Sequence, residues 1–156
     1  MHIEELTKIA SLIFLSGHRF GRLACASNSQ PYITPFNFVY YENFLYSFGT
    51  VGQKINWMRA NPLVCVEVDD IVSPVHWTSV IINAKYEELV DTPDGQIHRD
   101  LAFKLLQKRN LWWEPGYVKT VIHGEQRPME PVYFRLFIED ITGHKAVQDD
   151  AQLRSH

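Results

Sequence analysis

Apolar residues recur at three- and four-residue steps near the start of the chain, at Ile3, Leu6, Ile9, Ala10, Ile13 and Phe14. That spacing predicts one amphipathic helix from about Ile3 to Leu15, ended by Ser16-Gly17. From Phe20 the period drops to two. Gly21-Arg22-Leu23-Ala24-Cys25-Ala26 predicts a strand, Ser27 to Gln30 a polar turn, and Tyr32 to Tyr40 a second strand. Tyr41-Glu42-Asn43 turns the chain again into Phe44-Leu45-Tyr46-Ser47-Phe48, the third of three consecutive antiparallel strands. Pro35 cannot donate to a ladder, so its strand is expected at a sheet edge or at a bulge.

A short helix follows, stopped at Ala60-Asn61-Pro62, and Leu63 to Val68 is a β-branched strand. Asp69 to Pro74 predicts a loop and Val75 to Glu87 a long strand. Thr92-Pro93-Asp94 has the form of an N-cap with proline at the first helical position. Ile97, Leu101, Leu105 and Leu106 supply the expected buried stripe of a long helix reaching about Arg109. Asn110 to Gly116 breaks it, and Val132 to Ile138 is the last predicted strand. The fold class is thus mainly β with flanking helices. Six strands joined mostly by hairpins favour a closed or nearly closed antiparallel barrel over a parallel sheet. Residues 1–146 are expected to form one domain, followed by a polar tail, 147–156.

Composition narrows the function. With 46% hydrophobic and 21% charged residues, the 156-residue chain suits an ordinary globular domain able to bury its own core. A net charge of −3 implies no basic face, so nucleic acid is not expected as a partner. The acidic start Met1-His2-Ile3-Glu4-Glu5 differs from a secretory signal, and no apolar run approaches membrane-spanning length. The expected location is cytoplasmic, without a membrane partner. Cys25 and Cys65 each sit among apolar neighbours and are expected as separate buried thiols. His18, His76, His98, His123 and His144 show no zinc-ligand spacing, so no metal is expected. No nucleophile–base motif is visible, and no catalytic side chain is assigned.

The chemistry concentrates in Tyr46 to Arg59. A strand end gives way to Gly49 and Gly52, and Lys54 arrives where Ile55 and Met58 begin a helical pattern. Unpaired N–H groups at a helix start, glycines and one ammonium together suit a phosphate. Gln53 separates Gly52 from Lys54 and Ile55 follows, so the spacing is not that of a nucleoside triphosphate loop. Trp112-Trp113, before Glu114-Pro115-Gly116, is a second candidate, because a loop does not easily bury two tryptophans.

Several motifs share an order and spacing: Gly21-Arg22-Leu23-Ala24 with Pro31-Tyr32-Ile33-Thr34-Pro35, Leu45-Tyr46 through Gly52-Gln53-Lys54, Asn61-Pro62-Leu63-Val64, Trp77-Thr78-Ser79-Val80, and Phe134-Arg135 with Thr142-Gly143. Together they resemble the split-barrel flavoproteins of the pyridoxamine 5′-phosphate oxidase-like superfamily, and within it the nitroimidazole-resistance (Nim-type) branch. The resemblance implies a six-stranded antiparallel split β-barrel, assembled as a homodimer with one FMN in each of two clefts between the barrels. It implies that Thr34, Pro35, Phe36 and Asn37 run along the isoalloxazine and that Ser47, Phe48, Gly49, Thr50 and Lys54 hold the phosphate end. The same resemblance implies that Trp77, Thr78 and Ser79 complete the cleft. By position, between the end of the long helix and the turn at Pro115-Gly116, at least one of Trp112 and Trp113 is expected to wall its open, substrate-facing side. The implied activity is a flavin-dependent oxidoreductase of a small molecule, with a nicotinamide as candidate electron donor. The alternative is a flavin- or haem-binding carrier without turnover. Two departures stand out. Ser47 and Phe48 occupy the region where the Nim-type pattern often carries a histidine. Gly143-His144-Lys145-Ala146 replaces the arginine- and histidine-bearing end of the vitamin B6 oxidases.

Overall fold

The computed structural model describes residues 1–107, 120–122, 125–127 and 131–149. The elements run β1 (His2–Leu6), α1 (Lys8–Ser16), β2 (Phe20–Ser27), β3 (Gln30–Asn37), β4 (Val39–Tyr41), β5 (Phe44–Thr50), α2 (Gln53–Ala60), β6 (Leu63–Ser73), β7 (His76–Glu88), α3 (Pro93–Gln107), β8 (Thr120–Ile122), β9 (Glu125–Arg127) and β10 (Pro131–Val147). One antiparallel sheet of eight strands follows the order β3-β2-β6-β7-β10-β5-β4, with β1 added on β10, and β8 pairs β9 separately. The main sheet therefore has eight strands rather than the expected six. Among the described residues no ladder joins β3 to β5 or β4, so the sheet curls without closing.

Alternation along each strand decides what goes inside. Leu23 and Cys25 of β2, Val64, Val66 and Val68 of β6, and Val80, Ile82, Ala84 and Tyr86 of β7 face one core. Phe134, Leu136, Ile138 and Ile141 of β10 join them. Their neighbours in sequence point outward, as period two requires. A second, smaller cluster of Tyr46, Leu89 and Ala102 lies where α3 covers β5 and β10.

Four sequence expectations are corrected. The helix expected from Ile3 begins only at Lys8, because Thr7 caps it: its Oγ1 accepts from the Ala10 N–H at 3.1 Å. His2 to Leu6 instead pair with β10, Ile3 opposite Ala146, a tertiary ladder that outweighs helical spacing. The final strand continues well past Ile138, because a bulge between Ile138 and Asp140 lets β10 stay on β7. The loop expected from Asp69 is strand as far as Ser73, paired with β7. Ile97 is 68% exposed, and Ala102 and Leu106 carry the buried stripe of α3.

Other expectations hold. β3 pairs with β2 alone, which puts Pro35 on an edge strand. Thr92 caps α3, its Oγ1 accepting from the Gly95 N–H at 3.1 Å. Both cysteines are free, Cys25 buried and Cys65 half-buried. No helix among the described residues is long and apolar enough to cross a membrane.

Helix α1 seats on the sheet where Gly143 leaves room for it. A Cβ there would stand 2.6 Å from Ser11 Oγ and 2.9 Å from Leu6 Cδ1, with Val80 at 3.0 Å. Ser11 is fully buried, its hydroxyl donating to the Thr7 carbonyl at 2.9 Å, so it has little freedom to yield. Gly143→Ala is expected to destabilise the fold by about 1–3 kcal/mol through overpacking. Urea denaturation of the two proteins measures it, and equal midpoints would show that α1 does not depend on this approach.

Candidate functional site

The site begins at the gap between the two ends of the sheet. Strand direction alternates along the path β3-β2-β6-β7-β10-β5, so β3 and β5 run antiparallel across the gap. One side-chain bond ties them: Ser47 Oγ donates to the Asn37 carbonyl at 2.6 Å, and Ser47 is only 3% exposed. Phe36 is buried beside this tie, its ring stacked with those of Phe38 and Phe134 at centroid distances of 5.6 and 6.1 Å. Thr34 of β3 and Thr50 at the end of β5 are half-buried. Asn37 and Pro35 are exposed. Phe48 alternates with Ser47 and Gly49 and lies on the other side of β5, its ring 5.3 Å from that of Tyr133.

Helix α2 follows Thr50 immediately. Gly52 is its N-cap in extended conformation and offers no side-chain cap, so the first N–H groups of the helix lack a side-chain acceptor. Ile55 and Met58 anchor its buried face, and Trp57 meets Tyr32 edge-on at 5.8 Å. Its far end is fixed by Arg59, whose Nε donates to Glu88 Oε1 at 2.7 Å, and by Asn61, whose amide donates to the Ala26 carbonyl at 3.2 Å. Burial and the Glu88 carboxylate push the Tyr86 phenol far above its ordinary range.

Lys54, in the first turn of α2, is itself half-buried, with Cys25 of β2 as a neighbour. Burial lowers its ammonium from the ordinary lysine range, while the nearby Cys25 acts in the opposite direction. Among the described residues no carboxylate lies within ion-pairing distance of Lys54, although Lys145, Arg59 and Arg135 all have one. A desolvated cation without a counter-ion, in the first turn of a helix whose start has no side-chain cap, can hold an anion.

Trp77, Thr78 and Ser79 form a second group, all half-buried, at the start of β7. Ser79 Oγ donates to Glu67 Oε1 at 3.1 Å. Cys25, the neighbour of Lys54, shares the wall of a groove with Ala84, and Trp77 lies on the order of 20 Å along β7 from Ala84 at about 3.3 Å per residue. One protomer thus does not bring the two groups together. The groove itself, about 450 Å³, opens on the outer face of β2, β6 and β7, where Ala24, Pro31, Leu63, Cys65, Asn83 and Glu139 line it. Sequence reasoning missed this groove, because its lining residues come from five separate strands, β2, β3, β6, β7 and β10. Trp112 and Trp113 lie outside the described residues.

Arg135, whose role the sequence left open, is structural. Its Nε donates to Glu87 Oε2 at 2.7 Å and its guanidinium lies 3.9 Å from the centre of the Phe44 ring. Its other contacts are the Tyr46 hydroxyl and His98 Nδ1, both at 3.4 Å, so it joins α3 to the sheet.

The unpaired ammonium carries a cost to folding. A lysine whose pKa is lowered in the fold binds its proton less well there than in the unfolded chain, so the penalty is full at neutral pH and fades as pH rises toward the ordinary lysine value. Lys54→Met is therefore expected to raise the melting temperature of the ligand-free protein at pH 7, with a smaller gain near pH 10. Thermal melts at the two pH values check both the sign and the trend.

The sequence model of the pyridoxamine 5′-phosphate oxidase family matches residues 9–145. An uncharacterized protein of Rhizobium meliloti is 38% identical over 125 residues, covering 80% of this chain and 83% of its own. The crystal structure of an FAD-binding protein from Mesorhizobium loti superposes with a TM-score of 0.76 at 36% identity, over 95% of this chain and 99% of that one. The fold also matches a candidate 5-nitroimidazole antibiotic resistance protein from Bacteroides thetaiotaomicron, with a TM-score of 0.62 at 14% identity over 93% and 89% of the two chains. This chain belongs to the pyridoxamine 5′-phosphate oxidase family.

Proposed function

We propose that this protein binds FMN at the gap between β3 and β5, as a homodimer, and works as a flavin-dependent oxidoreductase of a small molecule. Lys54 carries this conclusion: a half-buried ammonium at an uncapped helix start, with no carboxylate partner among the described residues, is the counter-charge a flavin phosphate lacks. The edge strand β3 leaves backbone groups free for a ring edge. A 36% identical relative that is described as FAD-binding supports a flavin as the ligand class. When bound, the flavin supplies the redox chemistry, accepting and passing on electrons from a donor such as a nicotinamide. The chain's own residues bind and orient it: Lys54 and the first N–H groups of α2 hold the phosphate, and Ser47 and Phe36 fix the wall beside the ring.

The homodimer accounts for two features at once. Ile33, Leu63 and Ile81 are 66%, 61% and 46% exposed on the outer face of the sheet, around the 450 Å³ groove. A two-fold interface would bury such apolar ground. It would also carry Trp77, Thr78 and Ser79 of one protomer to the flavin held at Lys54 of its partner, the juxtaposition that a single protomer does not make.

Lys54→Ala is expected to weaken FMN binding about ten- to a hundredfold, the equivalent of one charge-assisted contact of about 1.5–3 kcal/mol. Riboflavin, which lacks the phosphate, should be nearly indifferent. Fluorescence-quenching titrations decide it, and equal FMN affinities would place the phosphate elsewhere. Light scattering of the flavin-loaded protein at micromolar concentration should report a dimer; a monomer with flavin still bound would contradict the two-fold cleft.

A further inference from the structure

One row of side chains crosses the middle of the sheet's outer face: Arg22 of β2, Glu67 of β6, Ile81 of β7 and Thr142 of β10 stand opposite one another in register. The two halves of the face on either side of this row differ in bulk. On one side, two residues from Arg22 and four from Glu67, stand Phe20 and Ile71, 47% and 67% exposed, with Trp77 of β7 opposite Ile71. On the other side, the same steps reach Ala24 and Leu63, which line the 450 Å³ groove together with Cys65. Charge divides the same way. On β10, His144 lies opposite Ser79, at the end of the large side chains, and Asp140 lies opposite Asn83, at the groove end. Both are exposed.

We propose that this face docks on a second copy of the chain in one register, about a two-fold axis that lies between the two sheets and crosses the strands at the level of the Arg22–Glu67–Ile81–Thr142 row. Such an axis runs each strand antiparallel over its own copy and carries a residue on one side of the row to the equivalent place on the other. Ile71 and Leu63 are each four residues, about 13 Å, from Glu67. Ile71 of one protomer therefore meets the partner's Leu63 at the groove, and Phe20 meets the partner's Ala24. Large side chains enter ground that small ones leave open. His144 likewise faces the partner's Asp140, and at the row each Arg22 has two Glu67 carboxylates in reach, its own and the partner's. This rests on the homodimer under Proposed function and gives that dimer its register. The Trp77 end of one protomer then lies over the groove end of its partner, where the wall includes Cys25, the neighbour of Lys54.

Cross-linking reads the register directly. Asp69 and Cys65 stand two residues on either side of Glu67, so the docking sets Asp69 over the partner's Cys65, about 10 Å apart as in face-packed sheets. In the Asp69→Cys protein a bismaleimide of that span is expected to give a covalent dimer on a denaturing gel, and adding Cys65→Ser should abolish it. Charge exchange is a second readout. His144→Asp sets like charges across the interface and should raise the dimer dissociation constant, followed by analytical ultracentrifugation, about tenfold. Adding Asp140→His to the same chain restores opposite charges and should return the constant toward wild type. Within one protomer the two positions are about 13 Å apart along β10, so two local defects would add rather than cancel. Ile71→Asp, at an exposed position, should raise the constant about a hundredfold by burying an unpaired carboxylate, whereas Ile9→Asp, exposed on α1, should leave it unchanged. No cross-link in Asp69→Cys, or a double exchange no tighter than His144→Asp alone, overturns this docking. A dimer that also ignores Ile71→Asp uses another face, and leaves the homodimer standing. A wild-type protein that stays monomeric with flavin bound overturns the docking and the homodimer together.

Discussion

Strand β10 is the member on which the rest of the fold depends. Its first half pairs with β5, its second half with β1, and nearly its whole length with β7, so three strands take their positions from one. Such a strand must bend to follow a curling sheet, and the bulge between Ile138 and Asp140 provides the bend. Asn43 locks the bulge from the β4–β5 turn: its carbonyl accepts from the Ile138 N–H at 3.0 Å and its amide donates to the Ile138 carbonyl at 3.2 Å. With β5 fixed on one flank and β7 on the other, the distance between β5 and β3 is set by how far the sheet curls. Ser47 and Asn37 close that distance at one point, and the gap beyond them is the proposed site.

The proposed site is expensive in the way binding sites often are. An ammonium held in partly desolvated ground without a carboxylate disfavours the ligand-free fold, and the same absence makes the ground attractive to an anion. Two arginines that tie elements together are paired: Arg59 with Glu88 at the end of α2, and Arg135 with Glu87 beneath α3. The contrast separates Lys54 from the structural cations by environment, which residue type could not do.

Much of this was legible in the sequence wherever local chemistry decides. The period-two runs from Gly21 to Phe48 marked β2, β3 and β5, Pro35 marked an edge, and Thr92-Pro93 marked the start of α3, because alternation, a missing N–H and a capping hydroxyl act within a few residues. Lys54 beside Gly52 stood out for the same reason. The order and spacing of the motifs also identified the family. What the sequence could not carry were choices made between distant segments. His2 to Leu6 are spaced like a helix and become a strand because the far end of β10 offers them a ladder. Ile97 has the right spacing for burial and is exposed because α3 turns Ala102 and Leu106 inward. Strands β1 and β4, the open edge between β3 and β5, the outer groove and the Ser79–Glu67 bond belong to the tertiary structure alone. Each depends on which face of one strand meets which face of another, and a one-dimensional pattern holds the period of a strand but not the identity of its neighbour.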